Sequence, residues 1–218
     1  GPKSREVLSG ITDADLEQGW LSHQWATVAG QKAFLIRVSF AGELGWEIHA
    51  ENDHMPPIFD AVLAAGAKPF GMYALDSLRI EKGYRAWKGD LSTDYSILEG
   101  GLERFVRLDK PFDFVGKAAI QNEKQQGRKR AFVTLIVEAD FADAPYMSTI
   151  WCGDKVVGET TSSAWGHRVG ASIALGMVQV DLAKAGTELE VEIFGKRCKA
   201  VVQKDEPLWD PANERIRA

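Results

Sequence analysis

The stretch that decides the fold reads Ser39-Phe40-Ala41-Gly42-Glu43-Leu44-Gly45-Trp46-Glu47-Ile48. Just upstream, Phe34-Leu35-Ile36-Arg37-Val38-Ser39-Phe40 alternates, which places Phe34, Ile36, Val38 and Phe40 on one face of a strand at period two. Gly42 to Gly45 form a turn, and the chain leaves it at Trp46-Glu47-Ile48. Two carboxylates, Glu43 and Glu47, sit in or beside that turn. Glu47 lies between Trp46 and Ile48, so it points to the face opposite both. A carboxylate in that position is either solvated on the open face of a sheet or held for a ligand.

Working outward, Gln24 to Ala29 and Lys32 to Phe40 flank Gly30-Gln31, which predicts a hairpin. Residues 54–65 predict a helix, with Asp53 as N-cap, Pro56 and Pro57 in the first turn, and Ile58 and Val62 on an apolar face. A second helix is predicted from Met72 to Lys82, closed by Gly83. Two strands followed by two helices give an α+β layer, with helices on one face of a mostly antiparallel sheet. Residues 84–101 form a loop carrying Tyr84, Arg85, Trp87, Asp90 and Tyr95, either a pocket wall or a surface loop pinned by its aromatics. Leu102 to Leu108 predicts a further strand and Asp113 to Gln126 a helix.

From Arg130 the pattern changes. Strands are predicted at Ala131 to Glu138, Ser148 to Cys152, Val156 to Ser162, Ala171 to Val178, Glu188 to Phe194 and Arg197 to Gln203, with turns at Gly153-Asp154 and Gly195-Lys196. This is an all-β module, barrel or jelly-roll-like. The domain reading is therefore residues 1–22 as the tail of a missing N-terminal region, 23–120 as an α+β domain, 121–130 as a charged linker and 131–218 as a C-terminal β-barrel domain.

The chain has 218 residues, 45% hydrophobic and 26% charged, enough for one large domain or two small ones. A net charge of -5 gives no broad electrostatic footprint for nucleic acid or an anionic membrane, and the short basic run Lys124 to Arg130 reads as a helix end and linker. No apolar window spans a bilayer, and no signal-peptide pattern opens the chain. Cys152 and Cys198 match no metal or redox motif and read as free thiols in a reducing compartment, although a disulfide between them stays open. His23, His49, His54 and His167 are scattered, and no pair has metal-ligand spacing. P-loop, G-x-S-x-G and dinucleotide-binding signatures are absent.

Three features carry chemistry. Glu47 can accept two parallel N–H bonds, which suits an amidine-like edge such as a pterin, a guanine or an arginine. Arg79 sits three residues after Asp76, where it either pairs within its helix or offers its fork to a ligand carboxylate. The aromatic loop with Trp87 follows directly.

Phe40-Ala41-Gly42-Glu43-Leu44-Gly45-Trp46-Glu47-Ile48 resembles the Y-T/A-G-E-x-G-x-E segment of the glycine cleavage T-protein (aminomethyltransferase) family, and Asp76-Ser77-Leu78-Arg79-Ile80-Glu81-Lys82-Gly83 resembles its D-S/T-L-R-L-E-x-G helix. The wording around Glu43 to Glu47 and from Glu81 to Leu91 is most similar to the folate-binding region of dimethylglycine and sarcosine dehydrogenases, and Gly166 to Gly176 fits the C-terminal barrel of that subgroup. The resemblance implies a fragment of a three-lobed fold that binds tetrahydrofolate in a central opening and transfers an aminomethyl or methyl carbon. It places the pterin edge at Glu47, gives Arg79 a part in the folate site, and draws in Phe40, Glu43 and Trp87. Phe40 replaces the family's usual tyrosine, which removes a hydroxyl. The catalytic aspartate is expected upstream of Gly1.

The implied partners are folate and a methylated amine, with a lipoyl H-protein or an upstream flavin domain bearing FAD as further possibilities, and no metal. The expected compartment is the cytoplasm, or the mitochondrial matrix in a eukaryote. A non-catalytic folate-binding or structural fragment, and a tetrahydrofolate-dependent demethylase of the same fold, are the alternative readings. Lys82-Gly83-Tyr84-Arg85-Ala86-Trp87 lacks the cysteine of K-G-C-Y-x-G-Q-E, which counts against the assembly-protein branch.

Overall fold

The first sheet is built where apolar residues repeat at period two and a glycine turns the chain. In the computed structural model, which describes residues 1–218, β1 (His23–Val28) and β2 (Gln31–Ile36) form an antiparallel hairpin, and β2 also pairs with β3 (Glu47–His49). The turn is Ala29-Gly30, one residue earlier than predicted: Val28 pairs with Gln31, and both turn residues have positive φ, as a type I′ turn requires. The buried face of β2 carries Ala33 and Leu35, and it packs with Val28 and with Ile58 and Val62 of α2 (Met55–Ala64). This is the opposite parity from the predicted Phe34-Ile36-Val38-Phe40 face. Both faces of β2 are apolar, and the partners on β1 and α2 decide which one is covered.

β2 also ends earlier than expected. Arg37 still exchanges backbone bonds with Leu21 and Ser22 (3.0 and 2.9 Å), but Val38 N then bonds to Ile36 O at 3.0 Å, a tight three-residue turn that breaks the ladder. Residues 37–46 are therefore a connection rather than a strand. α1 (Ser4–Ser9) precedes the sheet and α3 (Met72–Glu81) follows it. Asp53 does not cap α2; it lies in a short 3-10 turn, Asn52–His54, that leads into the helix.

The chain divides into two compact units, Gly1–Lys82 with Trp209–Ala218, and Gly83–Leu208. The C-terminal piece contains the short helix α5 (Glu214–Arg217).

The second unit contains α4 (Lys117–Gln126) and a closed antiparallel barrel. The predicted helix from Asp113 begins only at Lys117, because Gly116 adopts φ +92°, outside the helical region. The predicted strand Leu102 to Leu108 is instead a 3-10 turn, Glu103–Phe105, with Phe105 70% exposed. Leu102, Val106 and Leu108 share one parity, but Arg104 falls on their face and Phe105 off it, so the alternation is broken.

The barrel strands are β4 (Arg130–Val137), β5 (Thr149–Cys152), β6 (Lys155–Gly166), β7 (Ala171–Gln179), β8 (Glu188–Ile193) and β9 (Lys196–Val202), closed in the order β4-β7-β6-β5-β8-β9. Along β4, Ala131, Val133, Leu135 and Val137 are buried in alternation, and Val133, Leu135 and Val137 meet Ile150, Val191 and Ile193 in one apolar core. Closure removes the open edges that a sheet of this length would expose. Both cysteines are free thiols, Cys198 buried and Cys152 half-buried.

Candidate functional site

The connection 37–46 joins two hydrogen-bonded strands and carries Phe40 and Glu43, with Glu47 at its exit as the first residue of β3. It is organised by a buried cation. Arg37 is 1% exposed, and its Nη1 donates to Gly45 O at 3.1 Å, which ties the two ends of the connection together. Its Nη2 donates to Ala218 O at 2.8 Å, and its guanidinium lies 4.8 Å from the Trp46 ring centroid and 5.8 Å from that of Trp20. Arginine suits such a place because its weakly hydrated planar head stacks on indole faces. Burial lowers its pKa, and the nearby Arg5 charge lowers it further. From the other side, Ser4 Oγ donates to Leu44 O at 3.0 Å.

Glu47 is exposed. Its Oε2 lies 3.1 Å from His49 Nε2, two residues along the same face of β3. The same outer face carries Phe34, paired with His49, and the exposed Trp25, whose ring centroid is 5.1 Å from that of Phe34. Trp46 and Ile48 turn the other way, as alternation requires. They line a cavity of about 640 Å³ together with Val7, Leu8, Val62 and Phe70. That volume is within the range of small-molecule pockets, roughly 300–1,000 Å³, but it lies on the face of β3 that Glu47 leaves.

Arg79 lies in α3, 3% exposed, and its Nε donates to Asp76 Oδ1 at 3.0 Å. One turn on, Lys82 passes against the connection. A Cβ at Gly42 would fall 2.4 Å from Lys82 Cγ, and Gly42 has φ +74°, so only glycine fits there. The structure thus brings Phe40, Glu43 and Glu47 onto one connection and its exit, and it docks the C-terminal end of Arg79's helix against that connection.

Trp87 belongs to the other unit and is 68% exposed. Its loop is held by Asp90, which is fully buried. Asp90 accepts from Ala86 N at 2.8 Å and from the hydroxyls of Thr161 and Ser162 at 2.5 Å each. The β6 bulge at Thr160/Ser162 is where those hydroxyls sit. Sequence reasoning left Arg37, Lys82 and Asp90 without such anchoring parts. For Arg37 the available signal was a charged residue inside an otherwise apolar run; Lys82 and Asp90 follow polar or glycine neighbours and carry no such signal. No group of three or more His, Cys, Asp and Glu side chains is arranged to hold a metal ion, and no helix is long and apolar enough to cross a membrane.

A small antiparallel sheet with helices on it, followed in sequence by a closed six-stranded antiparallel barrel, defines the class: an α+β protein with a C-terminal barrel. Residues 1–110 match the GCVT N-terminal domain, and residues 130–210 match the glycine cleavage T-protein C-terminal barrel domain, so the chain belongs to the glycine cleavage T-protein family.

Among relatives, it is 37% identical over 225 residues to mitochondrial dimethylglycine dehydrogenase of Homo sapiens, covering 100% of this chain and 26% of that protein. It is 36% identical over 232 residues to mitochondrial sarcosine dehydrogenase of Mus musculus, covering 100% of this chain and 25% of that one. It is 35% identical over 214 residues to an aminomethyltransferase of Rippkaea orientalis, covering 98% of this chain and 58% of the other. The chain therefore spans about a quarter of the dehydrogenases (26% and 25%) and somewhat over half of the aminomethyltransferase (58%). The crystal structure of glycine cleavage system aminomethyltransferase T from Bartonella henselae has the same fold, with a TM-score of 0.83 at 24% identity over 95% of this chain and 57% of that one.

Proposed function

We propose that this chain is the folate-handling part of a protein that transfers a one-carbon unit from a methylated amine to tetrahydrofolate. The observation that carries the reading is Glu47: an exposed carboxylate at the exit of an anchored connection, in the motif by which the chain resembles its family. A carboxylate there fits the edge of a pterin, because its two oxygens can accept two N–H bonds side by side. Tetrahydrofolate, when bound, supplies the nitrogen that takes up the one-carbon unit.

The chain's own residues bind and orient. Glu47 holds the pterin edge, with His49 beside it as the neighbour it exchanges for ligand. Phe40 and Glu43 form the wall of the connection. Arg79, buried and paired with the half-exposed Asp76, acts from within α3 through its charge and through the position of its helix. Trp87 offers an exposed indole for contact with the aromatic part of folate. Rate enhancement in such a transfer comes mainly from holding two reactants in register and managing one proton. The proton-managing aspartate, and the flavin domain of the dehydrogenase branch with its FAD, belong in this reading to sequence preceding Gly1. A lipoyl H-protein is the alternative partner to the flavin domain in this reading. The compartment proposed is the cytoplasm or, in a eukaryote, the mitochondrial matrix.

The test is calorimetric titration of tetrahydrofolate into this chain and into a polypeptide extended by the encoded upstream sequence. Binding is expected in the extended form, weakened about 10- to 100-fold by Glu47→Gln, the range for losing charge-assisted hydrogen bonds. Absence of binding in both forms would sink the reading. Turnover of dimethylglycine against sarcosine by the extended form then selects the donor.

A further inference from the structure

The connection 37–46 contains no regular element, yet its position is set at three points, and two of them lead to the same distant segment. Lys82 is the first. Its side chain is completely buried, with Nζ donating to Trp209 O at 3.2 Å, Asp210 O at 2.8 Å and Asn213 Oδ1 at 2.9 Å, and lying 3.5 Å from Asp210 Oδ2. An ammonium has three donors, and residues 209–213 supply an acceptor for each. Its methylene stem is the surface against which Gly42 closes, since a Cβ at Gly42 would meet Lys82 Cγ at 2.4 Å and Cδ at 2.8 Å. One side chain therefore touches the connection with its stem and residues 209–213 with its head.

Arg37 is the second such point. One guanidinium nitrogen holds Gly45 O and the other holds Ala218 O. Arg5 Nη2 adds a further bond to Ala218 O at 3.2 Å.

The segment 209–218 is itself built to be held. Asp210 and Asn213 both adopt positive φ, and Asp210 caps α5 through Glu214 N at 2.9 Å and Arg215 N at 3.2 Å. Ile216 is 1% exposed, and Trp209 N bonds back to Glu81 O at 3.0 Å. Glu43 lies between Gly42 and Gly45, the two positions gripped by Lys82 and Arg37, and Glu47 follows two residues after Gly45.

We propose that residues 209–218 are a strap that sets the position of the connection 37–46, and that Lys82 and Arg37 are the positioning residues through which it acts on Glu43 and Glu47. The strap itself rests on the contacts above. Only its consequence for ligand binding rests on the folate reading.

Segment-resolved amide hydrogen exchange on the 218-residue chain tests it with Lys82→Met, which keeps the stem and deletes the ammonium. Exchange is expected to rise about tenfold or more in residues 209–217 and in 38–46 together, the loss of a buried charge-assisted network, with barrel strands at wild-type rates. Acceleration confined to 209–217 overturns the proposal, as does a uniform rise that includes the barrel. Should Lys82→Met fail to fold, Asn213→Ala decides. It removes one acceptor and is expected to loosen the same two segments to a smaller degree, and loosening of only one of them overturns the proposal.

A second arm measures tetrahydrofolate binding to the extended polypeptide. The expected result is a Kd raised about tenfold by Lys82→Met, although Lys82 contacts no ligand in the reading above, and an unchanged Kd would overturn the action on Glu43 and Glu47. If the wild-type polypeptide binds no tetrahydrofolate, the folate reading fails alone, and the exchange pattern decides the strap.

Discussion

The barrel and the connection 37–46 show two ways of fixing a backbone. In the barrel every strand is paired on both sides, and the side chains that alternate inward, among them Leu135, Ile150, Val191 and Ile193, are fully buried. Each such side chain contributes roughly 1.5–3 kcal/mol of burial, so no single one decides the position of a strand. The connection has no ladder, and three single side chains set its position. One guanidinium, one ammonium stem and one hydroxyl grip Gly45, Gly42 and Leu44. A scaffold built by many weak apolar contacts tolerates loss of one. A loop held at three points by single side chains does not, but its failure stays local.

Adding the same methyl group to each region sharpens this contrast. In the barrel, Gly158 lies so close to β7 that a Cβ would fall 2.1 Å from Met177 O and 2.9 Å from Val178 Cα, both backbone atoms that move only if the strands part. Gly158→Ala is expected to cost at least about 3 kcal/mol, in the class of overpacking without an escape route. For a chain of this size that lowers the melting temperature by about 10 °C in a circular-dichroism melt. A shift of less than about 2 °C would mean the barrel wall yields far more easily than a closed ladder should.

In the connection, Gly42→Ala meets a side chain rather than backbone, together with an unfavourable positive φ. The expected cost is smaller, about 1–2 kcal/mol, measured by urea unfolding. Its signature is spatial: new protease cleavage within 38–46 while the barrel stays resistant. Equal sensitivity of the two regions would erase the distinction.

The same contrast explains what could be read from the residues alone. Barrel strands were legible because apolar alternation and glycine turns both report the fold; β4, β5, β7, β8 and β9 fall within one or two residues of expectation, and β6 runs on to Gly166. The hairpin at Phe194-Gly195 is displaced by one residue, as at Ala29-Gly30, because glycine takes the second turn position while a non-glycine residue accepts positive φ at the first. The motif around Glu47 and its opposition to Trp46 and Ile48 were also legible, because strand parity alone sets them. Arg37 was not. Alternation cannot say that the charged residue in Phe34 to Phe40 is the buried one, since that depends on Trp46 in the same turn and on Ala218 at the other end of the chain. Lys82 was hidden for the same reason, its acceptors lying beyond residue 208.

The smallest expected effect concerns a polar grip placed on the barrel itself. Arg130, the first residue of β4, donates from Nε and Nη2 to the two carboxylate oxygens of Glu99 at 3.1 Å each, and from Nη2 to Asp94 O at 2.9 Å. Burial pushes the Glu99 carboxyl up, but the Arg130 fork and the Ser96 amide together outweigh it and leave the group below the ordinary carboxylate value. Between the folded-state and unfolded-state pKa values the unfolded chain binds the extra proton, so stability rises with pH across that window. The contribution is full above the unfolded value, about 4.3, and is lost as pH falls through the folded value. Because Arg130 is 40% exposed at its side chain, the contribution is held to about 1 kcal/mol. The free-energy difference between wild type and Glu99→Gln, followed by urea unfolding, is expected to be constant from about pH 5 to 8 and to shrink below about pH 4. A difference that grows on acidification would show that burial, not Arg130, governs Glu99, and that the polar grip on β4 weakens the barrel it was credited with holding.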